Sequence, residues 1–152
     1  MSTEQTLVLV KPDAVQRALA GAVISRLESR GLRIVAMKML QVSRDMAMRH
    51  YGAHQGKPFF DGLVEFITSS PIIAMVLEGE RAVEMVRNTM GATDPLKAQP
   101  GTIRGDLGVD IGYNLVHGSD SLESAAQEIA LFFSRDEILS YSRDVDRWIT
   151  GP

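Results

Sequence analysis

A histidine caught between an apolar run and a turn, as in NLVHGSD at residues 114–120, is a candidate for nucleophilic or acid–base work. An imidazole is largely neutral near pH 7 and keeps a lone pair on one ring nitrogen, which can attack an electrophile such as phosphorus. The other nitrogen needs an acceptor to fix the tautomer. Glu128 flanks the apolar stripe of the segment that follows and is a candidate for that acceptor, against the commoner case of a solvated helix carboxylate. His117 itself is weighed against a ring that merely bonds a nearby carbonyl. Gly118 beside it permits unusual backbone angles and close approach of a ligand.

Three cations from separate segments are candidates for neutralising phosphate. Lys11 ends the first apolar run, Arg87 borders the apolar face of a helical segment, and Arg104 lies in GTIRGD at residues 101–106. Arginine matches phosphate geometry well. Each alone reads as a surface charge, and spacing does not bring them together.

Absences narrow the chemistry. The chain has no cysteine, which removes disulfides, thiolate metal sites and a thiol nucleophile, and which fits a reducing compartment. There is no G-x-x-x-x-G-K-[ST] loop and no G-x-G-x-x-G. There is no H-R-D or D-F-G, and Ser119 lacks a G-x-S-x-G setting. His50 and His54 stand four apart, but no Glu lies between them and Gly52 interrupts; they read as surface residues, not a metal pair. A net charge of −3 excludes the basic footprint of a nucleic-acid binder. No apolar run approaches the ~18 residues of a membrane span, and the N-terminal stretch MSTEQTLVLVKPD has no signal-peptide pattern. The expectation is a cytoplasmic protein with neither membrane nor nucleic acid as partner.

These residues must be held by elements legible from periodicity. TLVLV at 6–10 is a short strand stopped by Lys11-Pro12, and Pro12 suits a first helical turn. Ala14, Val15, Ala18, Leu19, Val23 and Leu27 recur at helical spacing, with Gly31 as C-cap. Residues 32–42 read as a strand, 43–70 as broken helix interrupted at 56–58, 72–77 as a strand, and 80–90 as a helix closed by Gly91. Residues 92–112 show no period, and so long a loop is usually functional or disordered. A fourth strand is expected at 113–116. Asp120 and Glu123 have capping-box spacing, so the last helix should begin near Asp120 or Ser121. With no repeat or linker, residues 1–152 form one expected domain. Four strands separated by helices leave two solutions, a parallel α/β sheet or the split β-α-β arrangement of ferredoxin-like folds.

TLVLVKPDAV (6–15), HYGAHQGKPFFDGLV (50–64), GTIRGD and NLVHGSD followed by SLESAAQEI closely resemble nucleoside diphosphate kinases, over about residues 6–148. The resemblance implies a ferredoxin-like α/β sandwich, a four-stranded antiparallel sheet covered by helices. It implies ping-pong transfer of a γ-phosphate from a nucleoside triphosphate to a nucleoside diphosphate through a phosphohistidine at His117. Glu128 would hydrogen-bond that histidine, Ser119 would support it, and Tyr51 would lie close by. Lys11, Arg87, Thr93, Arg104 and Asn114 would hold phosphates and sugar hydroxyls, and Phe59 would stack on the base with Leu63 and Ile111 beside it. Mg²⁺ would arrive with the nucleotide, held mainly by its phosphates and water, with no residue assigned as a metal ligand. The chain departs from many members at Leu107, Tyr113 and Phe132. The resemblance also implies a homo-oligomer, with the tail to Trp148 favouring a hexamer over a tetramer. The alternative is a non-catalytic nucleotide-binding regulatory module of the same fold.

Overall fold

The computed structural model describes residues 3–151. Four strands form one sheet: β1 (Thr3–Val10), β2 (Arg33–Leu40), β3 (Ile72–Glu80) and β4 (Val116–Gly118). Their order is β2-β3-β1-β4, and every neighbouring pair is antiparallel. This is the split β-α-β arrangement, and it removes the parallel alternative. β1 and β3 lie in the middle and are covered on both faces. That is why their sequences, LVLV and IIAMVL, are uninterrupted apolar runs without alternation.

Residue parity on the central strands sorts the core into two layers. Leu7, Leu9, Ala74 and Val76 face Ala47, Val64, Ile67 and Phe132. These come from α3 (Arg44–His50), α4 (Phe60–Thr68) and α7 (Leu122–Phe132). Val8, Val10, Met75 and Leu77 face Ala14, Val23, Leu27, Val86, Met90 and Ile103. These come from α1 (Pro12–Gln16), α2 (Ala20–Ser29), α5 (Ala82–Met90) and α6 (Ile103–Leu107). The period of two along a strand fixes which layer any neighbouring side chain joins.

Several sequence expectations are corrected. The segment after Pro12 is two helices, because Ala18 takes φ 58 and breaks the hydrogen-bond ladder. Nothing in Arg-Ala-Leu-Ala signals that break. Residues 92–112 are ordered by caps that hydropathy does not show. Asp94 accepts from Leu96 N at 3.0 Å, Thr102 Oγ1 accepts from Gly105 N at 3.0 Å, and Asp106 accepts from Gly101 N at 2.9 Å. Gly31 and Gly91 hold φ 99 and φ 87 at their helix ends, as the C-cap reading requires. Helix α7 begins after Ser121, but the Asp120–Glu123 box does not form. Ser121 caps Ser124 N at 3.0 Å, and Asp120 accepts from Ser124 Oγ at 2.6 Å.

The fourth strand lies later than expected, at Val116–Gly118. Leu115 has φ 76, incompatible with extended backbone. Its amide donates to Asp13 Oδ2 at 3.0 Å and its carbonyl accepts from Lys11 N at 2.9 Å, so the strained turn is held at both ends. As a result His117 sits within β4 and not after it.

Candidate active site

Register decides where the histidine points. His117 pairs with Leu9, whereas Val8 pairs with Gly118 and Val10 with Val116. His117 therefore shares the face of Leu7 and Leu9, under α3 and α7. Its neighbours in β4 face α5. A Cβ on Gly118 would stand 2.7 Å from Met90 Sδ and 2.8 Å from Val86 Cγ1. Gly118 is thus needed for helix packing.

On the face it does occupy, His117 meets Glu128. Its Nε2 donates to Glu128 Oε1 at 3.0 Å, and Ser119 Oγ donates to the same oxygen at 2.6 Å. Ser119 is fully buried. Burial pushes the Glu128 carboxyl up, but the hydrogen bond and field of His117 and the Ser119 hydroxyl outweigh it, leaving it below the ordinary carboxylate range. A carboxylate on Nε2 leaves Nδ1 with the lone pair.

His50 is the largest correction to the sequence reading. It is half-buried, with its Nδ1 shielded from solvent. Its ring lies 4.9 Å from that of His117, edge to face, 4.7 Å from Tyr51 and 5.4 Å from Phe132. Burial, reinforced by His117, holds its pKa down at about 4, so it stays neutral. The Tyr51 phenol is pushed up to about 12 by burial and the Glu128 charge, so it remains a donor. His54, by contrast, is local to its loop, with Nδ1 3.3 Å from Lys57 Nζ and its ring 5.2 Å from Phe59.

The cations converge on the backbone around β4. Lys11 Nζ donates to Asn114 Oδ1 at 2.7 Å, and Asn114 Nδ2 donates to Thr93 O at 3.0 Å. Arg104 is 5% exposed and donates to Asn114 O (3.2 Å), Gly91 O (3.1 Å) and Val116 O (2.6 Å). Three of its five N–H groups therefore tie the loop to the end of α5, to Asn114 and to β4, leaving two for a ligand. Arg87, exposed on α5, reaches Gly118 O at 3.2 Å. Burial and the Arg87 charge lower Arg104 to about 10. Burial, then the Arg104 charge, lowers Lys11 to about 8. The long loop does bring Thr93 and Arg104 to His117's strand.

Phe59 is 50% exposed at the start of α4, as a stacking surface must be, and Leu63 follows one turn later. Ile111 is exposed on the loop. The missing link is Phe66, which sequence reading passed over. Its ring carries Lys11 Nζ at 5.7 Å and lies 5.1 Å from Tyr113. Phe59, Leu63 and Phe66 stand at i, i+4 and i+7, a spacing that could have exposed this shared helix face.

Comparison with known proteins agrees with this architecture. The family model described as nucleoside diphosphate kinase matches residues 4–138. The chain is similar to the nucleoside diphosphate kinase of Carboxydothermus hydrogenoformans, 59% identical and covering 96% of this chain and 98% of the relative. It is similar to that of Thermomicrobium roseum at 59% identity, covering 97% and 99%. Its fold is similar to that of a halophilic nucleoside diphosphate kinase from Halobacterium salinarum in complex with CDP. There the TM-score is 0.95 at 51% identity, covering 98% and 99%. Fold and relatives together define a phosphotransferase. The chain belongs to the nucleoside diphosphate kinase family.

Proposed function

We propose that the chain transfers the γ-phosphate of a nucleoside triphosphate to a nucleoside diphosphate in two half-reactions through phosphohistidine at His117. The observation that carries this reading is the Glu128 carboxylate on Nε2 at 3.0 Å, which frees Nδ1 as the nucleophile. In the first half, the Nδ1 lone pair attacks the γ-phosphorus and the bond to the β–γ bridging oxygen breaks. The diphosphate leaves with that electron pair. The Nε2 proton stays on the ring and Glu128 offsets the positive charge that develops there. In the second half, a terminal β-phosphate oxygen of the acceptor attacks the phosphorus, the P–N bond breaks, and the imidazole is restored.

Lys11, Arg87 and Arg104 supply the charge and positioning on which phosphoryl transfer depends. Asn114 and Thr93 complete the cradle, and Tyr51 contributes a neutral hydroxyl beside His50. Phe59 stacks on the base, with Leu63 and Ile111 as its apolar border, and such stacking tolerates every base. Kinases of this family need a divalent metal in general, and we assign Mg²⁺. The residues around β4 are donors and cations suited to phosphate oxygens, so they fit an ion carried by phosphate and water and not by protein carboxylates. Bound there, Mg²⁺ neutralises phosphate charge.

We further assign one catalytic unit, a cytoplasmic location and a homo-hexamer. No described helix is long and apolar enough to cross a membrane. The tail leaves Leu139, Val145 and Trp148 exposed, and Trp148 is 78% exposed. Light scattering should give six times the 16.7 kDa chain mass. A binding-only module is disfavoured by the intact nucleophile, carboxylate and cations. Initial rates with ATP and GDP varied together test the mechanism. Ping-pong transfer gives parallel double-reciprocal lines, whereas intersecting lines would mean direct transfer between two bound nucleotides.

Two predictions arise from the geometry. Glu128→Ala should lower kcat by roughly 10²-fold or more, since a misaligned ring is a poor nucleophile, while circular dichroism stays unchanged. Unchanged turnover would mean that Glu128 does not orient His117. Lys11 should shape the alkaline limb. Its folded pKa of about 8 lies below the ordinary lysine value, so its charge is present below pH 8 and lost as pH rises through it. A bound phosphate restores the charge, so kcat/KM should fall above about pH 8, by about ten-fold or more, while kcat holds. The same shift means that the folding cost of the buried ammonium is relieved between about pH 8 and the unfolded value. Loss of stability over that window would assign the alkaline limb to unfolding.

A further inference from the structure

His50 has no role in the reaction proposed above, yet its ring is packed 4.9 Å from that of His117. One ligand atom each from His50, His117 and Glu128 lies within 4.8 Å of the other two. Nδ1 of His50 is buried and has no hydrogen-bond partner among the described residues. We propose that these three side chains form a site for a zinc-class transition-metal dication, and that its occupancy shuts off phosphoryl transfer.

The donor set selects the ion. Two imidazole nitrogens and one carboxylate with an open fourth position suit Zn²⁺, Co²⁺ or Ni²⁺. Mg²⁺ takes oxygen ligands in a strict octahedron and is not served by this set. With metal–ligand bonds of ~2.0–2.2 Å, ligand atoms of a tetrahedral site stand about 3.4 Å apart; His117 Nε2 and Glu128 Oε1 are already 3.0 Å apart, so it is the His50 nitrogen that must approach, by up to about 1.4 Å. Their supports allow it, since they come from α3, β4 and α7 and not from a single rigid turn. His117 and Glu128 side chains are 27% and 19% exposed, which gives an ion its entry.

The shut-off follows from proton position. In the resting site the ring proton lies on Nε2, shared with Glu128, and Nδ1 holds the lone pair. A metal bonded to Nε2 displaces that proton to Nδ1, the other basic nitrogen of the ring. One metal–nitrogen bond forms and one N–H bond is exchanged for another, with no oxidant or external base. Nδ1 then carries a proton where it must carry a lone pair, and cannot attack phosphorus. This inhibition rests on His117 being the nucleophile; the binding does not.

Co²⁺ is a suitable probe because its visible absorption reports coordination. Titrating the metal-free, nucleotide-free protein should give a saturable spectrum at one ion per chain, displaced by Zn²⁺ and not by excess Mg²⁺. His50→Gln and Glu128→Gln, on opposite sides of the site, should each weaken binding by about ten-fold or more, with folding checked by circular dichroism. Zn²⁺ sufficient to fill the wild-type site should suppress labelling by γ-labelled ATP there, and at the same concentration spare His50→Gln. No saturable spectrum, or one undiminished in both variants, overturns the site. Binding that leaves wild-type labelling intact, or equal suppression in His50→Gln, overturns the shut-off. Labelling of the metal-free wild type separately reports whether His117 is the nucleophile at all.

Discussion

His117→Ala is expected to lower turnover by roughly 10⁴–10⁶-fold, the scale seen when a nucleophile is removed outright. The loss should fall on kcat. Lys11, Asn114 and Arg104 are tied to one another and to the β4 backbone without His117, so the phosphate cradle survives its removal. Nucleotide affinity measured by calorimetry should therefore change little. Stability should change little too, because His117 lies on a short edge strand and is partly exposed. Its loss leaves Glu128 still accepting from Ser119. A variant whose kcat lies within ten-fold of wild type would exclude a covalent role for this histidine.

Arg104→Ala should be the most destabilising of the site substitutions. The side chain is almost fully buried, and its three hydrogen bonds satisfy the carbonyls of Gly91, Asn114 and Val116. Stranding a buried acceptor costs about 1–3 kcal/mol. Two lost donors and one weakened partner (Asn114 O keeps the Val116 amide at 2.9 Å) come to roughly 2–5 kcal/mol. At about 2–4 °C per kcal/mol for a chain of this size, the melting temperature should drop by about 4–20 °C. KM should rise in parallel, because Asn114 and the loop bearing Thr93 lose their anchor. Arg104→Lys should rescue little, since an ammonium cannot serve three carbonyls fixed in a fork. If Arg104 only contacted phosphate, KM would rise with an unchanged melting temperature.

The sequence carried the chemistry further than the geometry. His117, its free lone pair and the need for an acceptor followed from residue type, and Glu128 was identifiable as that acceptor. What pattern could not show was strand register. One residue's shift in β4 moves His117 to the other face of the sheet, and the register depends on a left-handed Leu115 that no rule for leucine anticipates. His50 was misread for a related reason. Four-residue spacing invited comparison with His54, while its actual partner lies on another element. The break at Ala18 was missed because a left-handed alanine depends on tertiary neighbours. The apolar runs of β1 and β3 were legible because burial on both faces writes itself directly into composition.

The most direct test of the account is to incubate the protein with γ-labelled ATP and Mg²⁺, isolate it, and then add GDP. The wild type should carry label that is acid-labile and alkali-stable, absent from His117→Ala, and passed to GDP to give labelled GTP within the time of a turnover. Label that persists in His117→Ala, or that GDP does not remove, would contradict it.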